Sequence, residues 1–293
     1  MERRAFYRDR FSPGLFPALS WLFEILPAVG NGALPQSEEK RPATGPHGDV
    51  NGAPVIAVTG LKAEAWIAAG PRILTLSGAG DASSLALALE AAVANKASAI
   101  ISFGLAGGLA PGLAPGTKLV ARAVVTEAGE RYCGDPVWSH RLSGALGGAM
   151  IADIVGIDAP VAGPAEKRAL HSHTGAQAAD MESHIAARIA AAHKLPFAAF
   201  RVVADPADRQ LPHAALVAIR PDGSIALGAI LGSLALDPRQ VPQLLRTAND
   251  ARLAFVALFS GRKMLDRALG FTDFRESLLD MPAEDIFGGP LPV

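Results

Sequence analysis

The sequence has a single cysteine, Cys133, among its 293 residues. An intramolecular disulfide is therefore impossible and a cysteine-based metal cluster is excluded, which fits a reducing cytoplasm. Charge of either sign is scarce and balanced: 27 Lys and Arg stand against 28 Asp and Glu. That balance leaves no global electrostatic footprint for nucleic acid, so the expected partner is a small molecule. No apolar run reaches the roughly 18 uninterrupted residues that a membrane-spanning helix needs. Arginines and then apolar residues open the chain, MERRAFYRDRFSPGLFPALSWLFEILPAVG, but Pro13, Pro17 and Glu24 interrupt the pattern, and no cleaved signal is expected.

Half of the residues are hydrophobic, enough for one large core or two small ones. Residues 1–53 read as an N-terminal tail and linker, expected to be disordered, because NGALPQSEEKRPATGPHGDVNGAP is rich in Gly, Pro and charge. Residues 54–236 read as the main α/β domain and residues 237–293 as a helical C-terminal extension. PVIAVT, RILTLS and SAIISF are short aliphatic or β-branched runs, each followed by glycine, and predict buried strands. TKLVARAVV and FAAFRVVA predict two more. Between the second and third strands, Leu85, Ala88, Leu89, Ala92 and Val93 recur at helical spacing, with Asp81 or Ser83 as cap. MESHIAARIAAAHK predicts a helix stopped by Leu195 and Pro196. In the tail, Leu245, Ala248, Arg252, Phe255 and Phe259 share one side of a helix over 237–259. Alternating strands and helices imply a mixed, mostly parallel central sheet flanked by helices, with ligands at the carboxyl ends of the strands.

Two glycine-rich stretches follow predicted strands. In LSGAGDASS, Ser77, Gly78 and Gly80 lie between strand and helix, where backbone N–H groups can meet an anion; a plain tight turn is the alternative. Position 83 is serine and no carboxylate lies between Glu90 and Glu127, which argues against a dinucleotide site. The second stretch, SFGLAGGLAPGLAPG, is either a close backbone approach to a ligand or a bend required by packing.

VTGLKAEA, LSGAG, SFGLAGGLAPGLAPG, ADMES and FRVVADPAD occur in a fixed order and together resemble the purine nucleoside phosphorylase and nucleosidase superfamily. Within it, VTGLKAEA, ADMES and RVVADPADRQLP are most similar to the hopanoid-associated phosphorylases, which remove adenine from adenosylhopane. The likeness spans about residues 54–274. It implies a nucleoside phosphorylase-like fold, N-glycosidic cleavage, a homo-oligomer, and no cofactor or metal beyond phosphate as co-substrate.

Cleavage of a purine nucleoside leaves electron density on the base and positive charge on the ribosyl carbon. A sheltered carboxylic acid can protonate the base N7. The resemblance gives that role to Asp205, otherwise a turn aspartate before Pro206. It makes Glu182 the carboxylate that holds the ribose hydroxyls, with Met181 packed on the sugar; a helix-dipole partner and a core methionine are the alternatives, and Asp180 suits a cap. Glu64 takes the position of a water-activating glutamate, or is an exposed helix-start residue. Ser77, Gly78 and Gly80 would line the phosphate or nucleophile side, with Arg201 in support. The chain departs from the phosphorolytic pattern at Ser102, where arginine would grip phosphate; main-chain N–H groups from Ser77 to Gly80, or Arg131 or Lys167, could replace it. Hydrolysis of methylthioadenosine or S-adenosylhomocysteine stays open, as does a catalytically silent nucleoside-binding module. His171, His173 and His184 read as loop or helix-surface residues. A lipid-linked substrate would bring peripheral membrane contact, with the tail helix and Arg262, Lys263 and Arg267 near headgroups; the alternative is a helix packed on the core.

Overall fold

The computed structural model describes residues 52–78, 81–218, 220, 223–224 and 226–271. Residues 1–51 of the expected tail, and Gly80, lie outside the described residues. Among the described residues, eight strands form one sheet: β1 Val55–Thr59, β2 Ile73–Ser77, β3 Ala99–Gly108, β4 Lys118–Thr126, β5 Arg131–Cys133, β6 Met150–Gly156, β7 Ala178–Asp180 and β8 Phe197–Asp205. The order runs β2-β1-β3-β7-β6-β4-β5, and β8 pairs with both β3 and β4. Five pairings are parallel (β1 with β2 and β3, β3 with β8, β6 with β4 and β7) and three antiparallel, the mixed, mostly parallel sheet expected.

The helices are α1 Lys62–Ala68, α2 Ala82–Ala94, α3 Pro136–Ala145, α4 Pro164–Thr174, α5 Ser183–Ala192, α6 His213–Leu216, α7 Leu227–Leu236 and α8 Val241–Met264. Alternation along β1 sends its side chains to two different cores. Ile56 and Val58 pack with Leu85 and Leu89 of α2 and Ala186 and Ile189 of α5. Val55 and Ala57 join Leu142 of α3 and Ala254 and Leu258 of α8 on the other face. A strand covered on both faces must be apolar at every position, which is why VIAVT shows no polar alternation. Asp81 rather than Ser83 caps α2, its Oδ1 accepting from the Ser84 amide at 3.0 Å.

Two expectations are corrected. β3 does not stop at Phe103 but continues through GLAGG to Gly108, paired with β8. The glycines mark places where a strand must leave room for neighbours, and they do not end it. In α8, the buried line is Asp250, Ala254, Leu258 and Gly261, whereas Phe259 is 40% exposed. Close approach decides this: a Cβ on Gly261 would lie 2.8 Å from Cζ of Phe200 on β8. Small residues admit the helix to the sheet, and hydrophobicity alone selects the bulkier, wrong face.

Candidate active site

β1 pairs with β3 as far as Ser102, and β7 takes up β3 only from Gly107. Inside that gap the Leu105 peptide is satisfied by side chains. Its N–H donates to Glu64 Oε1 at 2.8 Å, and its carbonyl accepts from Arg201 Nη1 at 3.2 Å. A break in the ladder thus becomes a socket for one acid and one base.

Glu64, in the first turn of α1, is buried, and its Oε2 accepts the N–H groups of Gly60 and Leu61, both at 2.8 Å. It therefore clamps the β1–α1 turn onto β3 and is no exposed helix-start residue. Arg201, on β8, is fully buried and donates through Nη2 to Asp180 Oδ1 at 3.1 Å, to Glu182 Oε2 at 3.3 Å and to the Ser102 hydroxyl. Ser102, where an arginine would serve phosphate, instead joins this network, its hydroxyl meeting that of Ser183 at 2.9 Å. Ser183, which sequence reasoning missed, donates to Asp180 Oδ2 at 2.6 Å. Asp180 fixes the start of α5 as expected, taking the amides of Glu182 and Ser183 at 2.9 and 2.6 Å.

One guanidinium faces three carboxyl groups here. Burial, reinforced by Asp180 and Glu64 and opposed by Arg201, pushes Glu182 up to about 8. Burial also raises Glu64, against Arg201 and three backbone donors. Burial works against the Arg201 charge too, but Asp180, Glu182 and Glu64 outweigh it and hold the guanidinium above its ordinary value. The cluster is built to retain a proton near neutral pH.

The turns after β1 and β2 enclose Glu182. A Cβ on Gly60 would lie 2.8 Å from Glu182 Oε1, and one on Gly78 would lie 3.4 Å from its Cγ. Ser77 is exposed and donates its hydroxyl to the Gly60 carbonyl at 3.3 Å. A small hollow of about 10 Å³ bordered by Gly78, Leu85, Asp158, Met181, Glu182 and Ile185 lies beside them, so Met181 is at its wall. The structure thus brings Glu64, Met181, Glu182, Arg201, Ser77 and Gly78 together. Asp205 ends β8 opposite Gly107 of β3, where a Cβ would touch both of its carboxylate oxygens at 3.4 Å. It lies four positions along β8 from Arg201, about 13 Å.

Burial, with Asp250 adding to it, raises the Asp205 carboxyl above the aspartate range, while Lys167 and Arg209 oppose the rise. The larger cavity, about 340 Å³, is bordered by Tyr132, Cys133, Ala187, Leu195 and Phe197. Phe197 begins β8 and Asp205 ends it, so this cavity lies at the opposite end of β8 from Asp205.

Three further expectations change. Arg131 is on the edge strand β5, far across the sheet order from β2, and forms a two-point pair with Asp153 at 2.8 and 3.0 Å. Lys167 is 1% exposed and engaged with Asp205. His184 is buried at 6% exposure, with Nε2 3.1 Å from Asp158 Oδ1, and is no surface residue.

The Phosphorylase superfamily model matches residues 153–235, the segment from β6 through the site to α7. No curated protein matches the chain in sequence. Among solved structures, the Helicobacter pylori MTAN mutant with 5′-methylthioadenosine in its active site superimposes with a TM-score of 0.50 at 14% identity, over 73% of this chain and 100% of that one. The S-adenosylhomocysteine nucleosidase of Streptococcus pyogenes gives 0.48 at 16% identity, over 73% and 98%. The 5′-methylthioadenosine/S-adenosylhomocysteine nucleosidase of Neisseria meningitidis gives 0.45 at 18%, over 71% and 98%. The fold is therefore the α/β fold of the nucleoside phosphorylases and nucleosidases. The matched segment within it is similar to the Phosphorylase superfamily and holds Met181, Glu182, Arg201 and Asp205.

Proposed function

We propose that this chain is an enzyme that cleaves the N-glycosidic bond of a purine nucleoside, with adenosylhopane as substrate, adenine as product and phosphate as the attacking group. The observation that carries the reaction class is the pairing, along one strand, of a buried three-carboxyl cluster on Arg201 with a sheltered acid at Asp205. In this reading Glu182 holds the ribose hydroxyls, and its ionised form, favoured as pH rises through about 8, faces the positive charge that grows on the ribosyl carbon. Asp205 delivers a proton to N7, so that the base leaves neutral. Met181 packs on the sugar, and Ser77 and Gly78 line the side of the attacking group, with the Gly78 amide itself spent on the Thr59 carbonyl at 2.7 Å.

The apolar substrate is supported by α7. The Gly223 carbonyl accepts the Lys62 amide at 3.3 Å, and a Cβ on Gly223 would sit 3.3 Å from the Ser77 hydroxyl, which sets Gly223 against the turns after β1 and β2. Four residues later α7 begins, and it exposes Leu227, Leu231 and Leu236 at 43, 46 and 89%. An exposed apolar face of this kind suits a polycyclic hydrocarbon or a membrane surface better than an ordinary nucleoside. Among the described residues no helix is long and apolar enough to cross a membrane.

A second reading, hydrolysis of methylthioadenosine or S-adenosylhomocysteine, is favoured by one observation. Arg201, Arg131 and Lys167 are all engaged with carboxylates, which leaves none of these three cations for phosphate; in this reading Glu64 is the group that activates water. Incubation with adenosylhopane, methylthioadenosine or S-adenosylhomocysteine, with and without phosphate, separates the readings by free adenine. Release from adenosylhopane only with phosphate is the expected result. Release from the small thioethers without phosphate overturns it, and no release from any of them points to a binding module.

A further inference from the structure

A lysine with 1% of its surface exposed is expensive unless its charge is matched, and Lys167 of α4 is such a residue. An ammonium has three donors. Here all three are used: on Asp205 Oδ2, on the Pro206 carbonyl at 2.9 Å and on the Arg209 carbonyl at 3.1 Å. Two of those acceptors belong to the turn that follows β8. The lysine therefore ties the Asp205 side chain to the backbone that leaves the strand. Among the described residues Asp205 Oδ1 accepts no hydrogen bond, and the side chain keeps 14% exposure. One oxygen is held from behind and the other is left for a ligand.

We propose that Lys167 is a positioning residue for Asp205: it fixes the carboxyl rotamer, presents Oδ1 to the purine, and sets the upper pH limit at which Asp205 can still give up a proton. The proposal rests on the N-glycosidic reading above. The other charges near Asp205 are Arg209, in the loop after β8, and Asp250 of α8. They pair with each other at 3.1 Å and largely offset one another, which leaves Lys167 as the cation in direct contact. A neighbouring cation favours the ionised carboxylate, so it shortens the pH range in which an acid catalyst holds its proton. Lys167 exchanges some of that range for geometry.

Lys167→Met removes charge and donors at similar volume, and Lys167→Gln keeps a donor without the charge. In Lys167→Met, kcat should fall on the order of 100-fold with a much smaller change in KM. The alkaline limb of kcat/KM should move up by about one to three pH units. Lys167→Gln should recover part of kcat while keeping the displaced limb. The carboxyl NMR titration of Asp205, assigned by its loss in Asp205→Asn, should move upward in both variants, a readout that needs no substrate. Lower activity with an unmoved limb and an unmoved Asp205 titration would mean that Lys167 only supports the fold. If the wild-type protein releases no purine, the functional reading fails, and the NMR titration still decides whether Lys167 governs Asp205. Should neither variant fold, the wild-type lysine side-chain spectrum decides: a Lys167 ammonium protected from exchange, and released in Asp205→Asn, supports the proposal, and a freely exchanging one overturns it.

Discussion

Arg201 and Glu182 meet at 3.3 Å inside the protein, and the same guanidinium nitrogen reaches Asp180 at 3.1 Å. The cation is shared, so no carboxyl group of the cluster is fully compensated. This shortage makes Glu182 responsive to pH.

The Glu182 carboxyl lies near 8 in the folded chain against an ordinary 4.5. Between those values the folded protein holds a proton that the unfolded chain has released, so stability falls as pH rises through the window and the loss is complete above it. Urea unfolding of the wild-type protein at pH 5 and pH 8.5 should differ by on the order of a few kcal/mol from this group. Glu182→Gln should flatten that dependence. Equal slopes in the two proteins would show that Glu182 does not titrate in this range.

Asp205→Asn keeps the shape of the side chain but has no proton of the right acidity to give. Purine release should fall by roughly 10²- to 10⁴-fold, with nucleoside affinity in equilibrium dialysis changed only a few-fold. An active variant would remove Asp205 from the chemistry.

A Cβ on Gly104 would come within 2.7 Å of Glu64 Cδ and 2.8 Å of Arg201 Nη1. Gly104→Ala must therefore push apart the socket around Leu105, at a cost of about 1–3 kcal/mol. Thermal unfolding together with an activity assay checks this. A variant as stable and active as the wild type would show that the socket yields freely.

Leu258 is fully buried under β8, whereas Val256, two residues earlier on α8, is 60% exposed. Leu258→Ala should cost about 2–5 kcal/mol, and Val256→Ala should stay within about 0.5 kcal/mol. Denaturant midpoints that ranked the two the other way round would contradict the packing of α8.

The sheet was legible because its central strands are buried on both faces and read as short apolar runs, VIAVT and, broken only by Arg201, FAAFRVVA. β5 and β7 are three residues each and offer no period to read. β3 was read short because glycine usually signals a turn; here GLAGG stays in the strand and its glycines make room for Glu64, Arg201 and Asp205. The face of α8 was misread for the related reason that alanine and glycine carry the contact.

The sequence alone determined the order of the main elements, because burial and hydrogen-bonding periods are local. It also placed Glu182 and Asp205 at element ends, while the family resemblance supplied the roles proposed for them. Tertiary structure decided their charge and company. That one guanidinium serves three carboxyl groups, and that Lys167, 38 positions from Asp205, holds it from behind, follows from long-range packing. Protonation in a buried site depends on the distances between groups remote in sequence, and no local pattern encodes them.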